Sequence, residues 1–216
     1  MTPNQITVLR VAMGFAAVAL FGRNLFCDAA ALALTVGAIS LDALDGYLAR
    51  RRNLASPLGA QLDILGDRVV ENLFFTFFAV TGLVTVWVPI LFFVRGTLTD
   101  FIRSVASRAG RSGFGKNSMI ESWWGRSLVA SRASRAAYGA MKCLCFCYLG
   151  AELTLLRAPL GAISAAQAAW VNLAAETLVG ATVAFCVIRA IPVVWEGRRY
   201  FLTATPAEAR AAGGVR

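Results

Sequence analysis

Long apolar stretches, broken at intervals by short clusters of Gly, Asn, Pro and charge, set the pattern of this chain. A helix needs about 20 mostly apolar residues to cross the hydrocarbon of a bilayer. Stretches near residues 5–22, 30–50, 58–81, 84–105, 133–156 and 164–193 meet that measure. Gly22-Arg23-Asn24, Arg51-Arg52-Asn53, residues 108–116, Arg157-Ala158-Pro159 and Gly197-Arg198-Arg199 punctuate the joints between them. The pattern predicts an all-α integral membrane protein with six transmembrane helices. Residues 1–202 read as one membrane domain, and the Ala/Gly-rich residues 203–216 as a disordered tail. Arg10 interrupts the first stretch and no A-x-A site follows, so that stretch reads as a retained span rather than a cleaved signal. No internal repeat is visible.

Composition agrees with this reading and narrows it. The 216 residues are 58% hydrophobic and only 15% charged, with a mean hydropathy of +0.65, which excludes an ordinary soluble globule. The formal charge of +9 gathers at alternate joints, on Arg50, Arg51, Arg52, Arg103, Arg108, Arg111, Lys116, Arg126, Arg198 and Arg199. The opposite joints keep only Arg23 and Arg157. Both termini are therefore expected in the cytoplasm of a cell whose inner (cytoplasmic) membrane holds the chain, with anionic headgroups rather than nucleic acid meeting the charge. Residues 106–132, with Trp123 and Trp124, suit either a segment at headgroup level or a solvated basic loop. There is no histidine. Histidine triads and histidine-bound metals are excluded, and proton transfer falls to a carboxylate, lysine, cysteine or tyrosine. Cys143, Cys145 and Cys147 alternate along one apolar run and cannot converge on one ion, so they read as packing residues.

Against this apolar background, Asp42, Asp45, Asp63 and Asp67 stand at the facing ends of the second and third stretches. Ionisable groups at membrane depth are functional by default. With about 100° per residue on a helix, Asp42, Asp45, Gly46 and Ala49 share one face with Arg50 on its edge. Gly59, Asp63 and Asp67 make a second stripe, each one turn beyond the last. The short hinge at residues 51–57 makes the two helices antiparallel neighbours whose stripes meet near the cytoplasmic interface. Four converging carboxylates repel unless cations compensate them, and two divalent ions balance four charges. An all-oxygen ligand set suits Mg²⁺ or Mn²⁺, ions that hold phosphates and stabilise displacement at phosphorus. The competing reading is an ion network with Arg50, Arg51, Arg52 and Arg68. The small residues Gly46, Ala49 and Gly59 admit either a ligand or a neighbouring helix.

Read in order, D-A-L-D-G-Y-L-A-R, eight residues, then G-A-Q-L-D-I-L-G-D resembles the full signature of the CDP-alcohol phosphotransferase family, D-x2-D-G-x2-A-R-x8-G-x3-D-x3-D. The resemblance implies a six-helix domain whose cytoplasm-facing active site transfers a substituted phosphate from a CDP-linked lipid, usually CDP-diacylglycerol, to an alcohol, releasing CMP. It implies Asp42, Asp45 and Asp63 as ion ligands, and Asp67 as both ligand and the base that deprotonates the attacking hydroxyl. Gly46, Arg50 and Ser56 match positions that contact the CDP moiety, with Ala49 and Gly59 leaving it room. Pro3-Asn4-Gln5-Ile6-Thr7 resembles a segment that closes over the nucleotide, which adds Asn4 and Thr7. By the same analogy the chain forms a homodimer.

For the acceptor, Asp67-Arg68 is similar to the pair of inositol-lipid synthases. Asp100-Phe101-Ile102-Arg103, Ser131-Arg132-Ala133-Ser134-Arg135 and Val187-Ile188-Arg189 resemble segments of phosphatidylinositol-phosphate synthases that carry basic residues to an acceptor phosphate. Arg103, Arg132, Arg135 and Arg189 are the resulting candidates, since guanidiniums clamp phosphate well; snorkelling at the interface explains them otherwise. Those synthases have Glu where Ser131 and Ser134 stand, and Arg95 with Arg103 repeats an R-x7-R spacing of phosphatidylglycerophosphate synthases. Inositol 1-phosphate is thus the favoured acceptor, ahead of glycerol 3-phosphate and of free inositol or serine. An intramembrane prenyltransferase, or a cation or proton transporter using buried carboxylates, is the alternative outside this class. Glu71 and Glu176, at membrane depth without a motif, are expected to pair with an arginine of another span.

Overall fold

A computed structural model describes residues 3–51, 57–108, 118–157 and 164–199; the side chains of residues 3, 42–51, 57, 60, 108, 130 and 132 lie outside that description. Every regular element is helical: α1 (Pro3–Leu20), α2 (Leu25–Arg51), α3 (Pro57–Val80), α4 (Trp87–Arg108), the short α5 (Trp123–Gly125) running into a π-helical turn (Arg126–Ala130), α6 (Arg132–Leu156) and α7 (Ala165–Gly197). The six long helices coincide with the six apolar stretches. Among the described residues, Ala133–Leu156 and Ala165–Gly197 are each long and apolar enough to cross a membrane. The predicted tail falls at residues outside the description.

Local chemistry moves several helix ends away from where hydropathy alone puts them. α2 starts earlier than expected because Asn24 Oδ1 accepts the Cys27 N–H at 2.8 Å, an N-cap. Buried Asp28, which looks like an interruption, accepts the N–H of Gly22 at 2.5 Å. α4 starts later because α3 closes in a Schellman turn: Gly82 sits at φ +82°, with Gly82 N–H bonded to Ala79 O at 3.1 Å and Leu83 N–H to Phe78 O at 3.0 Å. α7 continues past its predicted end, through Pro192 to Gly197.

The chain divides into two compact units, one of Met1–Phe93 and Gly139–Val183, the other of Val94–Tyr138 and Ala184–Arg216. In the first, α1 packs on both α2 and α3, over a core of aromatic rings. Phe74 and Phe75 each lie 4.9 Å from Phe146, and Phe75 lies 4.3 Å from Phe92. In the second, Ile102, Ala106, Met119, Ile120, Val129 and Val193 form the core. The described part of the basic segment is thus packed rather than a solvated loop, with Trp123 left exposed. Buried Glu196 ties it down by accepting the backbone N–H groups of Glu121 at 2.6 Å and Ser122 at 3.4 Å, and the Ser122 hydroxyl. Elsewhere large apolar side chains such as Phe15, Val80, Phe93 and Trp170 are exposed, as suits helices whose outer faces meet lipid.

Candidate functional site

The centre of the site lies in the first unit, where α1 meets α3. Asp63, Asp67 and Glu71 follow one another at single-turn intervals on α3, as the helical period requires. Opposite them α1 presents Thr7 and Arg10, both buried. Arg10 Nη1 donates to Asp67 Oδ1 at 2.8 Å, and Nη2 donates at 3.3 Å both to Asp63 Oδ1 and to the Asp63 carbonyl oxygen. The arginine side chain is 4% exposed, whereas those of Asp63 and Asp67 keep 47% and 44% of their surface open. One face of each carboxylate is held and another remains accessible to a ligand.

Gly66 allows this approach. A Cβ there would stand 2.7 Å from Thr7 Cγ2 and 2.8 Å from Arg10 Nη2. Gly66→Ala is therefore expected to force α1 and Arg10 away from α3, lowering stability by about 1–3 kcal/mol. Thermal unfolding in detergent micelles checks this; an unchanged midpoint would show that the contact yields freely.

One turn deeper, Glu71 is almost wholly buried and carries two cations. Arg68 Nη1 donates to its Oε2 at 2.9 Å, and Lys142 Nζ of α6 lies 3.3 Å from its Oε1. The expected arginine from another span is in fact a lysine, with the arginine coming from Glu71's own helix. Glu176 departs further from expectation: it is exposed and its electrostatic neighbour is the buried Glu152. A small pocket of about 50 Å³ is lined by Arg10, Asp67, Glu71 and Lys142 together with Ala38 and Ile39 of α2.

That pocket takes lining residues from both α2 and α3, the helices whose aspartate stripes were expected to meet. α2 continues as helix through Asp42, Asp45, Gly46, Ala49 and Arg50; their side chains lie outside the described residues, as does all of Ser56. Gly59 is on the first turn of α3, and Asn4 is half-buried at the start of α1. Among the described residues no group of three His, Cys, Asp or Glu is placed to hold a metal. Asp63 and Asp67 nonetheless fit a hard divalent ion: both are oxygen donors on one helix face, half open, with no nitrogen or sulfur ligand beside them.

The second unit holds the basic candidates. Buried Arg189 donates to the Leu128 carbonyl at 2.8 Å and to the Ser134 hydroxyl. Its guanidinium lies 5.3 Å from the Tyr138 ring centre, which Arg95 also approaches at 5.7 Å. Arg95 and Arg135 are near enough to act on Arg189 as like charges. Arg103 instead faces Asp100 on its own helix at 3.6 Å, and the Arg132 side chain lies outside the described residues. Ser131 and Ser134, which depart from the synthase pattern, have a local role here: Ser131 Oγ accepts the Ser134 N–H at 3.1 Å and caps α6.

Sequence reasoning passed over Arg10, noted only as an interruption, read Arg95 only as part of an R-x7-R spacing with Arg103, and left Lys142 unassigned. The available signal was a cation inside an apolar stretch, three residues after Thr7 and so on its face. The chain matches the family described as CDP-alcohol phosphatidyltransferase over residues 1–188. No curated protein matches it.

Proposed function

Because the chain belongs to the CDP-alcohol phosphatidyltransferase family, we propose that it transfers the phosphatidyl group of CDP-diacylglycerol to the hydroxyl of a small phosphorylated polyol, inositol 1-phosphate before glycerol 3-phosphate. Membership itself makes the chain a phosphotransferase of phospholipid biosynthesis acting on a CDP-alcohol and an acceptor. The finer reading adds a six-span domain in the cytoplasmic membrane, both termini inside, working as a homodimer.

The observation that carries the proposal is the half-open Asp63 and Asp67 pair beside a pocket that α2 lines with Ala38 and Ile39. Asp42 lies one helical turn beyond Ala38, and Asp45 nearly another, which supports a convergence of four carboxylates. Asp42, Asp45, Asp63 and Asp67 would hold two Mg²⁺ or Mn²⁺ ions, which when bound neutralise the substrate's phosphates and ease attack at phosphorus.

The chain's own groups do the rest. Asp67 takes the proton of the acceptor hydroxyl, whose oxygen forms the new bond to phosphorus as the bond to CMP breaks. Gly46, Ala49 and Gly59 leave room for the CDP moiety, while Arg50 and Ser56 contact it and Asn4 and Thr7 border it from α1. Arg103, Arg132, Arg135 and Arg189 bind the acceptor's phosphate. Arg95, which shares the Tyr138 ring with Arg189, supports a phosphorylated acceptor by adding a third guanidinium to Arg135 and Arg189.

Purified protein in micelles with CDP-diacylglycerol, Mg²⁺ and, in turn, inositol 1-phosphate, glycerol 3-phosphate, inositol and serine is expected to release CMP, fastest with the first. No CMP from any of them would sink the reading. Arg135→Ala and Arg189→Ala are each expected to raise the acceptor KM about tenfold or more, with the KM for CDP-diacylglycerol little changed. An unaltered acceptor KM in both would remove the clamp.

A further inference from the structure

We propose that Arg10 is a resident cation of the carboxylate site, holding Asp63 and Asp67 when divalent ions are absent and, as a like charge, opposing those ions at the same two carboxylates. This deepens the phosphotransfer reading and rests on it.

A charge as buried as Arg10 must be compensated, and here compensation comes from two carboxylates on successive turns of one helix. Each terminal guanidinium nitrogen takes its own aspartate, Nη1 at 2.8 Å to Asp67 and Nη2 at 3.3 Å to Asp63. The planar fork spans the pair in a way that a lysine's point charge does not. These are two of the carboxylates assigned to the ions, and they are nearly half open. An incoming ion can thus approach from the exposed side while the arginine holds the buried side. Ion and arginine carry the same sign and lower each other's affinity for the site. Thr7 and Gly66 fix where Arg10 enters, since any side chain at Gly66 would collide with its Nη2.

An ion pair that merely staples α1 to α3 predicts something different. Its loss would lower stability by the same amount with or without metal, and would leave ion affinity unchanged. Competition predicts that stability and ion affinity move in opposite directions.

The test is Mn²⁺ titration of the full-length protein in micelles, without substrate, read by the EPR signal of free Mn²⁺ and paired with thermal unfolding in EDTA and in saturating Mn²⁺. Arg10→Gln is expected to tighten Mn²⁺ binding on the order of tenfold, as for removing a unit charge near a divalent ion in a water-like dielectric. The same variant should unfold at a lower temperature than wild type in EDTA, with the gap narrowing in Mn²⁺. Arg10→Lys, which keeps the charge, should bind Mn²⁺ nearly as wild type does and covers the case in which Arg10→Gln does not fold; a roughly tenfold tightening in Arg10→Lys, or unchanged affinity in a folded Arg10→Gln, overturns the proposal. Asp63→Asn and Asp67→Asn separate the two levels. If neither weakens Mn²⁺ binding, the ion reading itself fails; if they weaken it while Arg10→Gln leaves it unchanged, only the role of Arg10 is lost.

Discussion

Asp67→Asn is expected to abolish CMP release, lowering kcat by about a thousandfold or more, while the protein stays folded. The size follows from two losses at one atom pair. Removing a general base alone costs roughly 10²- to 10⁴-fold, and the same substitution takes away an anionic ligand from the ions. With no histidine in the chain, no neutral imidazole stands ready to take over the proton. The fold should survive because the amide oxygen of asparagine can still accept from Arg10 Nη1, which now bonds Asp67 at 2.8 Å, and because the Asp67 side chain is 44% exposed. The measurement is CMP release with CDP-diacylglycerol and an acceptor, alongside thermal unfolding of the same preparation. Full turnover in a folded Asp67→Asn would end the proposed mechanism.

The largest effect on stability should come from Glu71→Ala. The Glu71 side chain is 1% exposed and lies within 2.9 Å of Arg68 and 3.3 Å of Lys142. Truncating it leaves two cations crowded around a buried position without their common anion. Breaking a buried pair in this way costs about 3–5 kcal/mol, which corresponds to a fall of roughly 10 °C in Tm for a domain of this size. Adding Lys142→Met should recover part of the loss, since it removes one of the stranded charges; a double variant no better than the single would show that the two residues are not coupled. Glu71 lies one turn from Asp67 and lines the same pocket, so Glu71→Ala should also lower CMP release even where the protein remains folded. A Tm within a degree or two of wild type would refute the network's structural importance.

Much of the site was legible from the chain because its signals are local. The spacing of Asp63 and Asp67 puts them on one helix face whatever the helix packs against, and α3 displays them so. The Gly, Asn and charge clusters mark the joints, although capping by Asn24 and the Schellman turn at Gly82 decide the helix ends that they only approximate. Glu71 shows where local reasoning stops: a buried carboxylate demands a cation, yet nothing in its neighbourhood along the chain distinguishes an arginine of one span from Lys142 of another. Glu176 shows the converse, an exposed carboxylate within an apolar stretch whose neighbour is another carboxylate.

By itself, then, the sequence determined the six helical segments, the placement of Asp63 and Asp67 on one face of α3, and the family, because hydropathy, the 3.6-residue period and motif spacing are all properties of a single stretch of chain. Only the tertiary structure decided that Arg10 reaches Asp63 and Asp67, that Lys142 compensates Glu71, and that Glu196 anchors Glu121 and Ser122. Each of these joins groups far apart in sequence. A charge withdrawn from water must find its opposite, but which residue answers depends on how the helices pack.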